Sequence, residues 1–293
     1  MSETASRFGS LPDLRQVRTV AEKEFMDNLR GKWVLTLSLI FIILSLVVSY
    51  FGATQSGGAA GLQGFRATGA GIVALATTLV PLLALMLTYA TVAGERESGS
   101  LQLLLTMPLT RTEVVLGKMA GLGAVMSVSI VAGLGVSGVI IAALAGTDGW
   151  DGYALLILGT LLFAMSFLAV GLFFSTLVAK RSTALGLAVF LWFFFNIIYG
   201  IILFGIAALA GVPMSFGPGT VIQFPDWWWA LDFVNPGEAM GLFASRTIGF
   251  SEVGGFSFGY PGWATAGLGV LVMLIWAVVS TLLAMIRVQG QDL

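Results

Sequence analysis

The residues able to do chemistry in this sequence are few. Its 293 residues include 14 Lys or Arg, 15 Asp or Glu, no histidine and no cysteine. Disulfides, zinc fingers and Cys–His nucleophiles are excluded, and the usual proton shuttle near neutral pH is missing. Any catalysis would rest on Asp, Glu, Lys, Ser, Thr or Tyr. Six charges gather in VAGERESGSLQLLLTMPLTRTEVVLGK, residues 92–118: Glu95, Arg96, Glu97, Arg111, Glu113 and Lys118. The same stretch holds an apolar pentamer around Leu101, Leu104 and Leu105, cut by Pro108.

Several patterns imitate catalytic or binding motifs without their context. Gly117-Lys118 looks like the end of a phosphate-binding loop, but Thr112 stands where the upstream glycine belongs and Met119 replaces Ser or Thr, so no ATP site of that kind is present. Gly133, Gly135 and Gly138 fit the dinucleotide pattern inside an apolar run, with no preceding strand and no acidic partner downstream, so close helix packing is the better reading. Gly255-Phe-Ser257-Phe-Gly259 fits a nucleophile elbow, yet no histidine exists to complete a triad, and a flexible loop is expected there. Met86, Met126 and Met165 could offer thioethers to Cu(I), but no two share an apolar run, and no metal site is expected. Asn196 and Tyr199 stand three apart in a fifth apolar run; they either line a polar path or bond a neighbouring helix.

The elements that must position these residues are membrane helices. The chain is 57% hydrophobic and only 10% charged, with mean hydropathy +0.96, whereas soluble domains carry roughly a quarter charged residues. Runs at 33–52, 70–93, 119–145, 153–178, 184–210 and 263–286 are long enough to span a bilayer as helices, and every charge falls outside them. The expected fold is an all-α polytopic membrane protein, one transmembrane domain over 1–293 with six transmembrane helices. Twelve Lys and Arg fall on the side of the N-terminal segment, the 94–118 loop, Lys180-Arg181 and the tail; Arg66 and Arg246 fall opposite. Both termini are therefore expected in the cytoplasm. The polar first 32 residues do not read as a signal peptide, and a net charge of −1 offers nothing to nucleic acid.

Three segments outside the spans have their own character. In 11–32, Leu11, Leu14, Val17, Ala21, Phe25 and Leu29 recur at helical spacing, which predicts an amphipathic interfacial helix against membrane lipid. In 95–117, Leu101, Leu104 and Leu105 share a face, which predicts a short cytoplasmic helix ended by Pro108, and Thr110–Glu113 has the form of a capping box opening the third span. The balanced charges around those leucines suit a protein cleft better than anionic lipid. In 211–262, Pro213, Pro225 and the run Trp227-Trp228-Trp229 predict short helices at the outer leaflet, with Asn235-Pro236 at a turn or helix start.

The stretch GERESGSLQLLLTMPLTRTEVVLGK resembles the G-E-x-E-x-G-[ST]-L-x-L-L-L-x-x-P-x-x-R-x-x-x-x-x-G-K pattern of ABC type-2 permeases, the exporter-type membrane subunits of ATP-driven transporters. VAEKEFMDNLRGKW resembles their cytoplasmic first helix and FVNPGEAMGLF the outer turn before their last span, so the likeness runs through nearly the whole chain. Within that family, TTLVPLLALMLTYATVAGERESGSLQLLLTMPL and LGLAVFLWFFFNIIYGIILF resemble membrane subunits serving nitrous-oxide-reductase maturation. The resemblance implies a multi-pass subunit of the plasma membrane without its own nucleotide site. ATP and Mg would be bound by a cytoplasmic ABC ATPase dimer, a second copy of the chain would complete the pathway, and an extracytoplasmic accessory protein would serve copper-site assembly through a sulfur species or copper delivery. Glu95, Arg96, Glu97, Gly99, Leu101, Leu104, Leu105 and Pro108 would form the ATPase-coupling element. Lys180, Arg181 and Ser182 would add a secondary contact. Trp227, Trp228, Trp229, Asp232, Asn235 and Glu238 would form an outer gate or meet the accessory protein. The rival expectations are an exporter of a lipid, peptide or drug, and the membrane anchor of a redox enzyme.

Overall fold

The computed structural model describes residues 12–30, 32–51, 65–99, 109–212, 224–249, 252–253, 256–257 and 260–290. The helices in chain order are α1 (Leu14–Arg30), α2 (Trp33–Phe51), α3 (Phe65–Thr88), α4 (Ala93–Glu97), α5 (Arg111–Ala145), α6 (Trp150–Leu177), α7 (Arg181–Leu209), α8 (Asp226–Asp232), α9 (Pro236–Ile248) and α10 (Ala266–Gln289). Among the described residues, α3 with its continuation into α4, and α5, α6, α7 and α10, are long and apolar enough to cross a membrane; charge-free α2 is the sixth candidate when taken with α1 as a bent pair. The expected loop around Ser257 is in part a short hairpin, with Glu252–Val253 paired antiparallel to Phe256–Ser257.

Helix α6 is the hub. It packs against α3, α5, α9 and α10. Phe163, Phe167, Phe195 and Trp276 meet edge to face at ring separations of 5.2, 5.3 and 5.4 Å and carry the core from α6 through α7 to α10. Buried hydroxyls inside the bundle find carbonyls: Ser166 donates to Met273 O at 2.8 Å, Tyr153 to Leu134 O at 2.7 Å, and Ser45 pairs with Ser137. Such bonds are the adhesive available where lipid removes the hydrophobic drive between helices.

At 35 residues α5 is the longest helix. It runs about 52 Å at 1.5 Å per residue, well beyond a hydrocarbon layer of about 30 Å. Thr110 and Glu113 form the reciprocal capping box that starts it. Its small residues let neighbours approach: Phe41 of α2 sits against Gly133, and Tyr153 against Gly138.

Helix α1 differs from the expected stripe. Its packed face is Val17, Val20, Ala21 and Glu24, laid along α5, while Leu14 is 78% and Leu29 44% exposed. The expected apolar row is thus divided between a protein contact and an uncovered side. The cause is that polar Glu24 and Asn28 belong to the packed face, which an apolar period cannot register.

Candidate functional site

The charges of 92–118 lie where several helix ends gather. Helix α3 stops at Thr88, the chain turns through 89–92, and α4 follows. Ser175, near the end of α6, fixes that turn. Its Oγ accepts from Val92 N and Ala93 N, both at 3.2 Å, and donates to Tyr89 O at 2.7 Å.

The three charged residues of α4 then diverge. Glu95 accepts from Lys118 Nζ at 2.6 Å. Arg96 Nη1 donates to Val178 O, just past α6, at 3.3 Å. Glu97 accepts from Arg181 N at 2.7 Å and so satisfies an open amide in the first turn of α7. The Arg181 guanidinium donates to Tyr89 Oη at 3.2 and 3.3 Å and lies 5.6 Å from the centre of that ring. Gly99 closes the segment at φ +72°, a backbone state that favours glycine. Leu101, Leu104, Leu105 and Pro108 fall outside the described residues, as does the helix expected there.

Lys118 is the centre of the joint. Its side chain is 1% exposed, and Nζ contacts Glu24 at 2.7 Å on α1 and Glu95 at 2.6 Å on α4. Around it α1 and α5 approach closely because α5 presents glycines: Gly117 faces the Val20 side chain and the Val17 carbonyl, and Gly121 faces the Ala21 carbonyl and Glu24 Cβ. Glu113 accepts from Thr110 N at 2.7 Å and from Asp13 N at 2.8 Å, fastening the start of α1 to the start of α5. Arg111 donates to Val288 O at 2.8 Å and Gln289 O at 3.2 Å, closing the last carbonyls of α10. The first turns of α5 thus meet α1, α4 and α10 together. Lys180 and Ser182 flank Arg181 at the head of α7, where Arg181 and Ser182 line a cleft with Tyr89, Glu97, Ser98 and Leu185.

The residues expected at the outer side form a cap on the opposite end. Trp228 and Trp229 of α8 are buried at 4% and 2% exposure, whereas Trp227 is 40% exposed. Phe224 stacks on Trp228 at 3.9 Å, and Trp229 stacks on Phe233 at 5.6 Å. Asn235 caps α9 by accepting from Gly237 N at 2.9 Å, and its amide donates to Phe195 O at 2.8 Å. Phe195 lies in a π-turn, Phe194–Ile198, within α7, where the usual i→i−4 pattern is interrupted. Asn196 donates to Trp192 O at 3.1 Å in its own helix, and Tyr199 donates to Leu231 O at 2.5 Å. Asp232 is buried, and burial first, then the nearby Glu238 charge, push its carboxyl up to about 9. Glu238 itself is exposed. Met126 is fully buried in the core and Met165 packs beside Gly123, both as filling side chains.

Sequence reasoning gives Glu24 and Ser175 no site role, and places Lys118 and Arg111 only among the charges of 92–118. A lysine one step ahead of an uninterrupted apolar run, beside the Gly117–Gly121 pair, was the available signal for Lys118.

A bundle of this kind, with charged joints at one end and an aromatic cap at the other, is a polytopic α-helical membrane subunit. The sequence matches the family described as "ABC-2 family transporter protein" over residues 18–293, and the chain belongs to that family. It is 35% identical to the "Probable ABC transporter permease protein NosY" of Stutzerimonas stutzeri over 280 residues, 92% of this chain and 97% of that protein. It is 38% identical to the like-named protein of Pseudomonas aeruginosa over 209 residues, 69% of this chain and 72% of that one. The chain is an ABC transporter permease, a multi-pass protein of the plasma membrane. Membership implies an ABC ATPase partner and dimeric assembly.

Proposed function

We propose that this permease converts ATP hydrolysis by a cytoplasmic ATPase pair, which holds ATP and Mg, into movement or signalling across the membrane for copper-site maturation of nitrous oxide reductase. The observation that carries the coupling half is the joint itself. Glu95, Arg96 and Glu97 stand at the base of the 100–108 stretch, and each is bonded to a different helix end. A push on that stretch would be felt by α5, α6 and α7 together. The Lys and Arg distribution supports a cytoplasmic location for this end. Lys180, Arg181 and Ser182, beside the cleft at the head of α7, serve as the secondary contact.

The maturation half rests on the likeness to the permeases named NosY. On this reading two copies form the membrane unit, and the aromatic cap of α8 and α9 faces an extracytoplasmic accessory protein. Tyr199 ties α7 to α8 through Leu231 O, whereas Asn196 bonds within its own helix.

Replacing Leu104 and Leu105 with Asp tests the coupling. The variant is expected to insert normally and to lose co-purification of the ATPase; retained ATPase with ordinary turnover would refute the role. Copper loading of the reductase in a deletion strain tests the maturation: it is expected to fail without this chain and return with it. Full loading in its absence would point to an exporter of a lipid, peptide or drug.

A further inference from the structure

We infer that Lys118 is the positioning residue through which ATP-driven movement of the 93–99 segment reaches the rest of the bundle, with its two carboxylate partners doing different jobs: Glu24 holds and Glu95 releases. This rests on the coupling role proposed above and identifies the link that carries it.

The two partners belong to different rigid units. Glu24 is on α1, which lies on α5 through Val20 against Gly117 and the Ala21 carbonyl against Gly121, with the Asp13 amide fastened to Glu113. Neither helix can slide on the other without opening that contact, so the Glu24–Lys118 bond is internal to one body. Glu95 is on α4, five residues long, which packs on α6 and α7 rather than along α5. The Glu95–Lys118 bond therefore bridges two bodies, the α1–α5 pair and the α4–α6–α7 joint.

Charge makes that bridge easy to open. Lys118 lies between two carboxylates, both within 2.7 Å of Nζ, and Glu24 Oε1 is also 3.9 Å from Lys23 Nζ. Breaking an isolated buried ion pair strands a charge and is strongly unfavourable. Here release of Glu95 leaves Lys118 paired with Glu24. The ammonium, with three donors and a flexible stem, can hold one partner while losing the other. The Glu95 side chain is 17% exposed, with Oε2 shielded from solvent, so its release requires α4 itself to move.

The test uses the full permease–ATPase complex in lipid nanodiscs. The chain has no cysteine, so a single cysteine at exposed Thr147, in the turn between α5 and α6 at the far end of α5 from Lys118, carries an environment-sensitive maleimide probe. The readouts are the probe's response to MgATP, ATP hydrolysis, ATPase co-purification and melting temperature.

Glu95→Gln is expected to keep the ATPase bound and hydrolysing while the probe response falls about five-fold or more, the lower range of allosteric coupling. Glu24→Gln is expected to lower the melting temperature and keep the response. Lys118→Arg should preserve both readouts, and Lys118→Met should lose both. An undiminished response in Glu95→Gln, the same pair of effects from Glu95→Gln and Glu24→Gln, or a parent complex whose ATPase turns over without any probe response would each overturn the inference. Failure of the ATPase to co-purify with the parent would instead sink the coupling reading, and the latch with it.

Discussion

At the basic end, polar links run between α4, α5, α7 and α10 beside a small apolar cluster of Val92, Val115, Leu172, Ala284 and Val288: Glu95 to Lys118, Glu97 to the Arg181 amide, Arg111 to the last carbonyls of α10. At the opposite end, α8 is held by stacked rings, Phe224 on Trp228 and Trp229 on Phe233, with Tyr260 5.1 Å from Trp229. A polar link can exchange partners at small cost when a second partner waits nearby, as Glu24 does for Lys118. Interlocked rings cannot shift without opening a void. The same chain thus pairs an end whose polar bonds can be exchanged with an end that must move as a block.

The comparison is broken most severely at the cap. Trp229→Ala removes a side chain 2% exposed and ringed by Trp228, Phe233 and Tyr260. The expected loss is about 3–5 kcal/mol, the usual range for aromatic truncation in a packed core, read as a large fall in melting temperature. A fall no greater than that of an exposed-site control such as Trp227→Ala would show that the cap is not a block. Next is Glu113→Ala at the basic end, which strands two backbone donors, Thr110 N and Asp13 N. About 1–3 kcal/mol is expected, together with faster hydrogen exchange along α1. Unchanged exchange there would mean that α1 is fastened by the Gly117–Gly121 contact alone.

The spans were legible because lipid forbids charges and the 29 charged residues obey. The capping box was legible because Thr110 and Glu113 are three apart, and local bonds leave local patterns. Close packing at Gly117 and Gly121 was also legible, but its partner was not. That partner is α1, and the pairing of Lys118 with Glu24 spans 94 positions. The triple tryptophan read as an interfacial belt, yet two of the three are core residues, because α8 folds back onto α7 and the 260–264 segment. The link between Asn235 and Phe195 crosses 40 positions and depends on a π-turn that apolar sequence does not announce. What was lost to sequence reading is the long-range contact, polar at Lys118 and Asn235 and apolar at Trp228 and Trp229.

The smallest effect compares one substitution at both ends. Thr110 caps α5 at the basic end, and Thr265 caps α10 at the other; each hydroxyl accepts from an amide three residues on, at 3.3 Å. Taken alone, each Thr→Ala change should cost about 1 kcal/mol. The contexts differ, however. Thr110 is paired with Glu113, whose carboxylate also holds Asp13 N, so Thr110→Ala loosens the residue that fastens α1. Thr265 is not part of such a box, and its bond is exposed. Thr110→Ala should therefore lower the melting temperature more than Thr265→Ala and should couple non-additively with Glu113→Ala in a double-mutant cycle. Equal effects from the two threonines, with strict additivity at position 113, would reduce the basic end to a set of independent caps and remove the argument that its polar links act as one joint.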